Sequence, residues 1–187
     1  MKAVIAMLVL ALSPAPVLGA ALALDARQQE DAVRVGEKSV TNDAFDAEWR
    51  VTNPRGESVS VVTPFHRLVI AGRHAAFNGK PLKPGEPEKL LRENRDRLIV
   101  LVELRGKSED FARLYTPRLL VGDREIKAAF VQNERTASRQ EDGGYLARCV
   151  YGFPSRDLDG RARASLVVAD GDGRDVSSFA IELGKMR

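Results

Sequence analysis

Apolar and polar residues alternate over much of this chain, and a period of two along a segment predicts a strand with one buried face. Residues 44–53, AFDAEWRVTN, place Phe45, Ala47, Trp49 and Val51 on one side and Asp46, Glu48, Arg50 and Thr52 on the other. Pro54 and Gly56 then occupy the second and fourth positions of a type I turn. The run ESVSVVT, 57–63, follows as a second strand and hairpin partner. RLIVLVELR, 97–105, is the most apolar run after the N-terminal segment, and its branched residues predict a central strand covered on both faces. PRLLVG and REIKAAFV meet at Gly122-Asp123, which predicts a hairpin. YLARCVYGF, 145–153, reads as a further strand, and ARASLVVAD and VSSFAIEL flank the turn residues GDGRD. Phe179, Ile181 and Leu183 share a face of the last strand.

The period changes after Thr63. Thr63 suits a helix cap and Pro64 the first helical position. Phe65, Leu68, Val69, Gly72 and Ala76 recur at helical spacing until Asn78-Gly79 and Pro81 stop the helix. A shorter helix is predicted over 87–95, with Glu88–Arg92 and Lys89–Glu93 as four-apart ion pairs. Residues 24–43 are polar and weakly periodic and read as a flexible leader. Ahead of them, Lys2 precedes an apolar run from Ala3 to Leu12, Pro14 and Pro16 break it, and Ala21-Leu22-Ala23 offers small residues for processing. That is the layout of a secretory signal peptide over 1–23. The apolar run is well short of the roughly 20 residues a membrane span needs. The expected organisation is therefore a signal peptide, a leader over 24–43, and one β-sandwich domain over 44–187 with a helical insertion at about 63–96. Export to the periplasm or the exterior follows from it.

Charge narrows the partners. The chain carries 29 Lys and Arg against 26 Asp and Glu, a formal charge of +3. The signs interleave, as in LLRENRDRL, with no basic block of the kind nucleic acid requires. No nucleic-acid partner is expected. A single cysteine, Cys149, cannot form an internal disulfide, so packing alone must hold the fold.

Strand parity places Cys149 in a row with Tyr145, Ala147, Tyr151 and Phe153. A thiol in such a row behaves as a small hydrophobe, and burial raises its pKa. The same stretch carries a resemblance. Glu141, Gly143, Tyr145 and Ala147 resemble the acidic-x-Gly-x-Tyr-x-Cys run of immunoglobulin-like domains, with Ala147 standing where that family has its second disulfide cysteine. More broadly the chain looks like the secreted β-sandwich proteins of bacteria. The resemblance implies an immunoglobulin-like two-sheet antiparallel sandwich, mainly β, carrying a two-helix insertion, with α+β as the alternative. It also implies a corner hydrogen bond from the Tyr145 hydroxyl. It brings no activity.

Candidate chemistry is sparse. Asp170, Asp172 and Asp175 could supply calcium oxygens, but Arg174 stands where another ligand is needed, and a tight turn explains the loop. RDLDG at 156–160 is a weaker case of the same kind. His66 and His74 sit eight apart on the first predicted helix, about 80° around its axis, and with Arg67 and Arg73 read as a solvated basic side. No phosphate-binding glycine loop, nucleophile elbow or zinc signature occurs. We therefore assign no catalytic residue, cofactor or metal. Trp49, Val69, Leu101, Val102, Cys149, Tyr151, Val168, Phe179 and Ile181 are expected in the core. The expected function is a non-catalytic binding, scaffolding or accessory role, with another envelope or extracellular protein as partner and the two-helix insertion as its surface. The alternatives are a small secreted enzyme with a dispersed carboxylate or histidine site and a subunit that pairs through an edge strand.

Overall fold

The structure, a computed structural model, describes residues 20, 22–156 and 158–187; the core of the expected signal peptide and Asp157 in RDLDG lie outside them. In chain order the elements are α1 (Ala26–Lys38), β1 (Arg50–Thr52), β2 (Ser58–Val62), α2 (Pro64–Phe77), α3 (Glu86–Arg92), β3 (Arg97–Gly106), β4 (Thr116–Val121), β5 (Arg124–Lys127), β6 (Phe130–Gln132), β7 (Ser138–Arg139), β8 (Tyr145–Pro154), β9 (Arg163–Ala169) and β10 (Asp175–Glu182). One sheet runs β1-β2-β3-β8-β6, with β7 also on β8; the other runs β10-β9-β4-β5. Both are antiparallel. The protein is mainly β, two sheets with helices inserted between β2 and β3.

The inner faces follow from parity. Val59, Val102 and Cys149 lie abreast across β2, β3 and β8, as do Val61, Val100 and Tyr151. Leu119, Leu166 and Phe179 lie abreast in the second sheet. All are buried. Beside them Glu57, just ahead of β2, is 1 % exposed. The Ser177 hydroxyl donates to its carboxylate at 2.6 Å, the Asn53 amide at 2.8 Å and the Arg105 backbone N–H at 3.1 Å. This polar clip ties β2 and β3 to β10, so hydrogen bonds join the two sheets.

Four expectations are corrected. Residues 24–43 are not a flexible leader: Asp25 and Gln28 form a reciprocal capping box that starts α1, and α1 buries Ala32 and Gly36 against α2. Its interface is built from small residues, so no bulky stripe announces it. The alternation over 44–53 yields only a short strand, because a 3₁₀ turn at Ala47–Trp49 precedes β1. β3 is covered on one face only. Leu98, Val100, Val102 and Leu104 are buried, whereas Leu101 is 41 % exposed and paired with Val150 on the outer face. REIKAAFV is split: β5 stays in the second sheet, and the Ala129 N–H bond to Gly152 O hands the chain to β6 in the first.

Candidate functional site

The residues singled out by sequence fall apart in space. Cys149 is buried in the row expected of it, and burial pushes its thiol up from its ordinary pKa. Tyr151 beside it donates to Asn133 Oδ1 at 3.0 Å, and burial pushes its hydroxyl up as well. The corner bond implied for Tyr145 is not made: its hydroxyl has no hydrogen bond among the described residues, because Tyr145 is paired with Arg139 and Gly106 at the very start of β8. Asp170 is consumed by its own turn. Its carboxylate accepts from the backbone N–H groups of Asp172 and Arg174, and the Arg174 guanidinium bridges it to Asp172. These bonds hold the Asp170 carboxyl below its ordinary pKa.

The two histidines part company. His74 is exposed near the end of α2. His66 is not on a solvated side; it is 2 % exposed. Its ring stacks on Trp49 at 4.2 Å with an interplanar angle of 4°. Nδ1 lies 3.1 Å from Val61 O, which makes Nδ1 the donor, and Nε2 is buried without a hydrogen-bond partner. The helical period predicts Ala76 on the inward face; the structure buries His66 and Ala75 instead. The aromatic shelf of Trp49 is what draws the imidazole inward. Around it, Trp49 Nε1 and the Thr63 hydroxyl both donate to Arg187 O, and the Arg187 guanidinium grips Glu48 in a forked pair at 2.8–3.0 Å.

Burial lowers the His66 pKa from its ordinary 6.5, against weaker pulls from the Val61 carbonyl, Asp46 and Glu48. The folded state thus resists a proton that the unfolded state accepts. The stability this confers is complete above about pH 6.5 and is lost as pH falls below it. Urea titrations from pH 7 down to pH 5 are expected to show a fall in unfolding free energy, with a slope approaching about 1.4 kcal/mol per pH unit from this one group. In His66→Gln that component is absent. Parallel slopes for the two proteins refute the assignment.

The structure gathers a site that none of these residues announces. A cleft of about 280 Å³ opens between the entry to α1, the first turn of α2, α3 and the start of β3. Leu22, Leu24, Val62, Leu91 and Leu98 give it an apolar wall. Arg67, Arg92, Arg95 and Arg97 line it with a single carboxylate, Glu88. Each arginine arrives by a different local device. Thr63 caps α2 by accepting from the His66 N–H, which sets Arg67 one turn in. Arg92 ends α3, and the Arg97 N–H bond to Asn94 O folds the chain so that Arg95 and Arg97 return to the same opening. Among the described residues none of the four guanidinium groups has a hydrogen bond or an ion pair within 4 Å. Arg67 is half-buried; burial lowers its pKa, and only the longer-range field of Glu93 opposes that.

Sequence reasoning missed this cleft for an identifiable reason. LLRENRDRL alternates charge along the chain, which reads as a balanced surface. In space Asp96 turns away to Arg156 at 3.5 Å, and Glu93 does not line the opening. The alternation along the chain conceals a local excess of positive charge. No signal in a single sequence marks which members of such a run face one way.

No protein-family model and no curated protein matches the sequence. Among solved structures, the chain is similar to a novel protein of unknown function from Burkholderia pseudomallei K96243, at 11% sequence identity and a TM-score of 0.44, over 87% of this chain and 91% of that one.

Proposed function

We propose that this chain is an exported, non-catalytic binding protein whose arginine-lined cleft holds a small anionic ligand against an apolar wall. The observation that carries the reading is the convergence of Arg67, Arg92, Arg95 and Arg97 on one opening with no carboxylate paired to any of them among the described residues. On the two sheets, by contrast, arginines such as Arg50 and Arg118 are matched, with Glu103 and Asp175. Four unmatched guanidinium groups repel one another and gain by sharing an anion. The first turn of α2, with Pro64 on the cleft wall, adds the positive end of a helix dipole. Pockets that bind small molecules combine such an apolar wall with a few convergent polar groups. A carboxylate pair for acid–base chemistry would need a partner for Glu88, and His66 and His74 line other parts of the molecule.

Export is part of the proposal, and it bears on the cleft. Ala20 is buried, with its N–H donating to Gly160 O and Leu183 O. Processing after Ala23 removes those bonds together with Leu22, and it leaves all four arginines in place. N-terminal sequencing of protein recovered from the envelope and medium tests the cleavage point.

Thermal unfolding with matched short-chain ions tests the binding. Hexanesulfonate is expected to raise the melting temperature, and hexylammonium is expected not to. Arg95 is exposed, so Arg95→Glu leaves the fold intact and should weaken hexanesulfonate by roughly tenfold or more, the scale of one charge-assisted contact. Equal stabilisation by the cation, or no effect of Arg95→Glu, rejects the cleft as an anion site.

A further inference from the structure

Resting on that reading, we infer that the cleft's ligand is a soluble phosphomonoester carried on a short apolar body. Three features of the opening converge on it. The first is charge. Four arginines and one glutamate line the cleft, so a monoanionic carboxylate leaves a large positive surplus, whereas a phosphomonoester brings close to two negative charges at neutral pH. The second is geometry. A guanidinium offers five N–H donors in a rigid fork that matches phosphate oxygens two at a time. A phosphomonoester presents three terminal oxygens to forks arriving from three separate elements: Arg67 from α2, Arg92 from α3, and Arg95 and Arg97 from the turn into β3. A carboxylate has two oxygens in one plane, and so fewer acceptor sites to share among arginines from three elements. Asn94 and Ser155 on the rim add neutral donors.

The third feature is size. With Leu22 and Ala23 in place, the cleft of about 280 Å³ has room for a head group and a short apolar body. The apolar wall of Val62, Leu91 and Leu98, which processing after Ala23 leaves in place, takes the apolar body. Arg67 is the most buried of the four arginines. It is the one of the four that is half-buried, its partners at the mouth being exposed, so it meets the ligand where water is scarcest and a charge-assisted bond is strongest.

Isothermal titration of the exported chain with hexyl phosphate, hexanoate, hexanesulfonate and inorganic phosphate tests this. Hexyl phosphate is expected to bind at least roughly tenfold more tightly than hexanoate or hexanesulfonate, and inorganic phosphate more weakly than hexyl phosphate for want of the apolar contact. Arg67→Met should lose about tenfold or more for hexyl phosphate, and Arg67→Lys should recover only part of it, because charge returns without the fork. A second variant, Arg92→Met, sits on an exposed helix end where folding is not at stake and should weaken binding in the same direction. Equal affinity for hexanoate and hexyl phosphate overturns the phosphomonoester while leaving the anion cleft standing. Absence of binding by all the anions overturns both. Co-sedimentation with phosphatidic-acid vesicles in place of affinity for hexyl phosphate overturns the soluble ligand in favour of a membrane head group.

Discussion

Alanine at Gly36 is expected to destabilise the protein by about 2–3 kcal/mol, although alanine favours a helix interior over glycine by about 1 kcal/mol. The reason is the crossing of α1 over α2. A Cβ built at Gly36 falls 2.1 Å from Val69 O and 2.8 Å from Arg73 N, and one built at Gly72 falls 2.4 Å from Val33 O. These neighbours are backbone atoms of a regular helix, so they cannot swing aside as a flexible side chain can. The helices must separate, and separation uncovers Ala32, Leu68 and Val69, each fully buried. It also strains the clamp in which Arg73 lies over the Phe45 ring at 4.2 Å and donates to the carbonyls of Ser39 and Asn42. Gly72→Ala should cost a similar amount. The double variant should cost less than the sum, because both act on one interface. Gly184→Ala, whose Cβ meets only ordinary contacts at 3.6 Å, is the control and should stay within about 0.5 kcal/mol. Urea unfolding gives all four values. Stabilisation by either helix variant contradicts the close crossing.

Glu57→Ala is expected to cost at least as much, about 2–4 kcal/mol, since it deletes a buried acceptor shared by donors from separate strands, which stay behind. The Ser177 hydroxyl, the Asn53 amide and the Arg105 N–H would each lose an acceptor; Ser177 is buried, and a buried donor left unmatched costs about 1–3 kcal/mol, while the two part-buried donors add less. Arg55, 3.5 Å from Glu57 and half in solvent, can turn to water and contributes little. Glu57→Gln keeps the shape and one acceptor oxygen but turns an N–H₂ toward donors, so it should fall between the wild type and Glu57→Ala. Ser177→Ala in the Glu57→Ala background removes one orphaned donor and should recover part of the loss. Equilibrium denaturation of the set checks the order. Equal stability of Glu57→Ala and Glu57→Gln would show that burial of the carboxylate, not its acceptor capacity, governs the site.

The two predictions concern features that differ in how visible they are from sequence. The α1–α2 crossing left a trace: Asp25-x-x-Gln28 is a capping box, and it lies directly ahead of a run ending in Gly36. That trace is faint because Ala32 and Gly36 bury little apolar area, and hydropathy periodicity responds to area. The Glu57 clip left none. Asn53, Glu57, Arg105 and Ser177 span 124 positions of the chain, and only the meeting of β2, β3 and β10 brings them within hydrogen-bond reach. Leu101 shows the opposite error. An apolar strand reads the same whether one face or both are covered, and β3 has its outer row open beside Val150.

What the amino-acid order determined by itself is whatever depends on neighbours a few positions away: the strands of β8, β9 and β10, the turn at Asp170–Arg174, the cap at Thr63 and the inward row through Cys149, Tyr151 and Phe153. Side-chain direction in a strand and capping at a helix end are local consequences of backbone geometry. Only the tertiary structure decided which charges remain without a partner. Arg92, Glu93, Arg95, Asp96 and Arg97 nearly cancel when counted along the chain, three cations against two anions, and they separate once α3 ends and the chain turns into β3, the arginines toward the cleft and Asp96 toward Arg156. Electrostatic interaction depends on distance through space, and order along the chain does not report it.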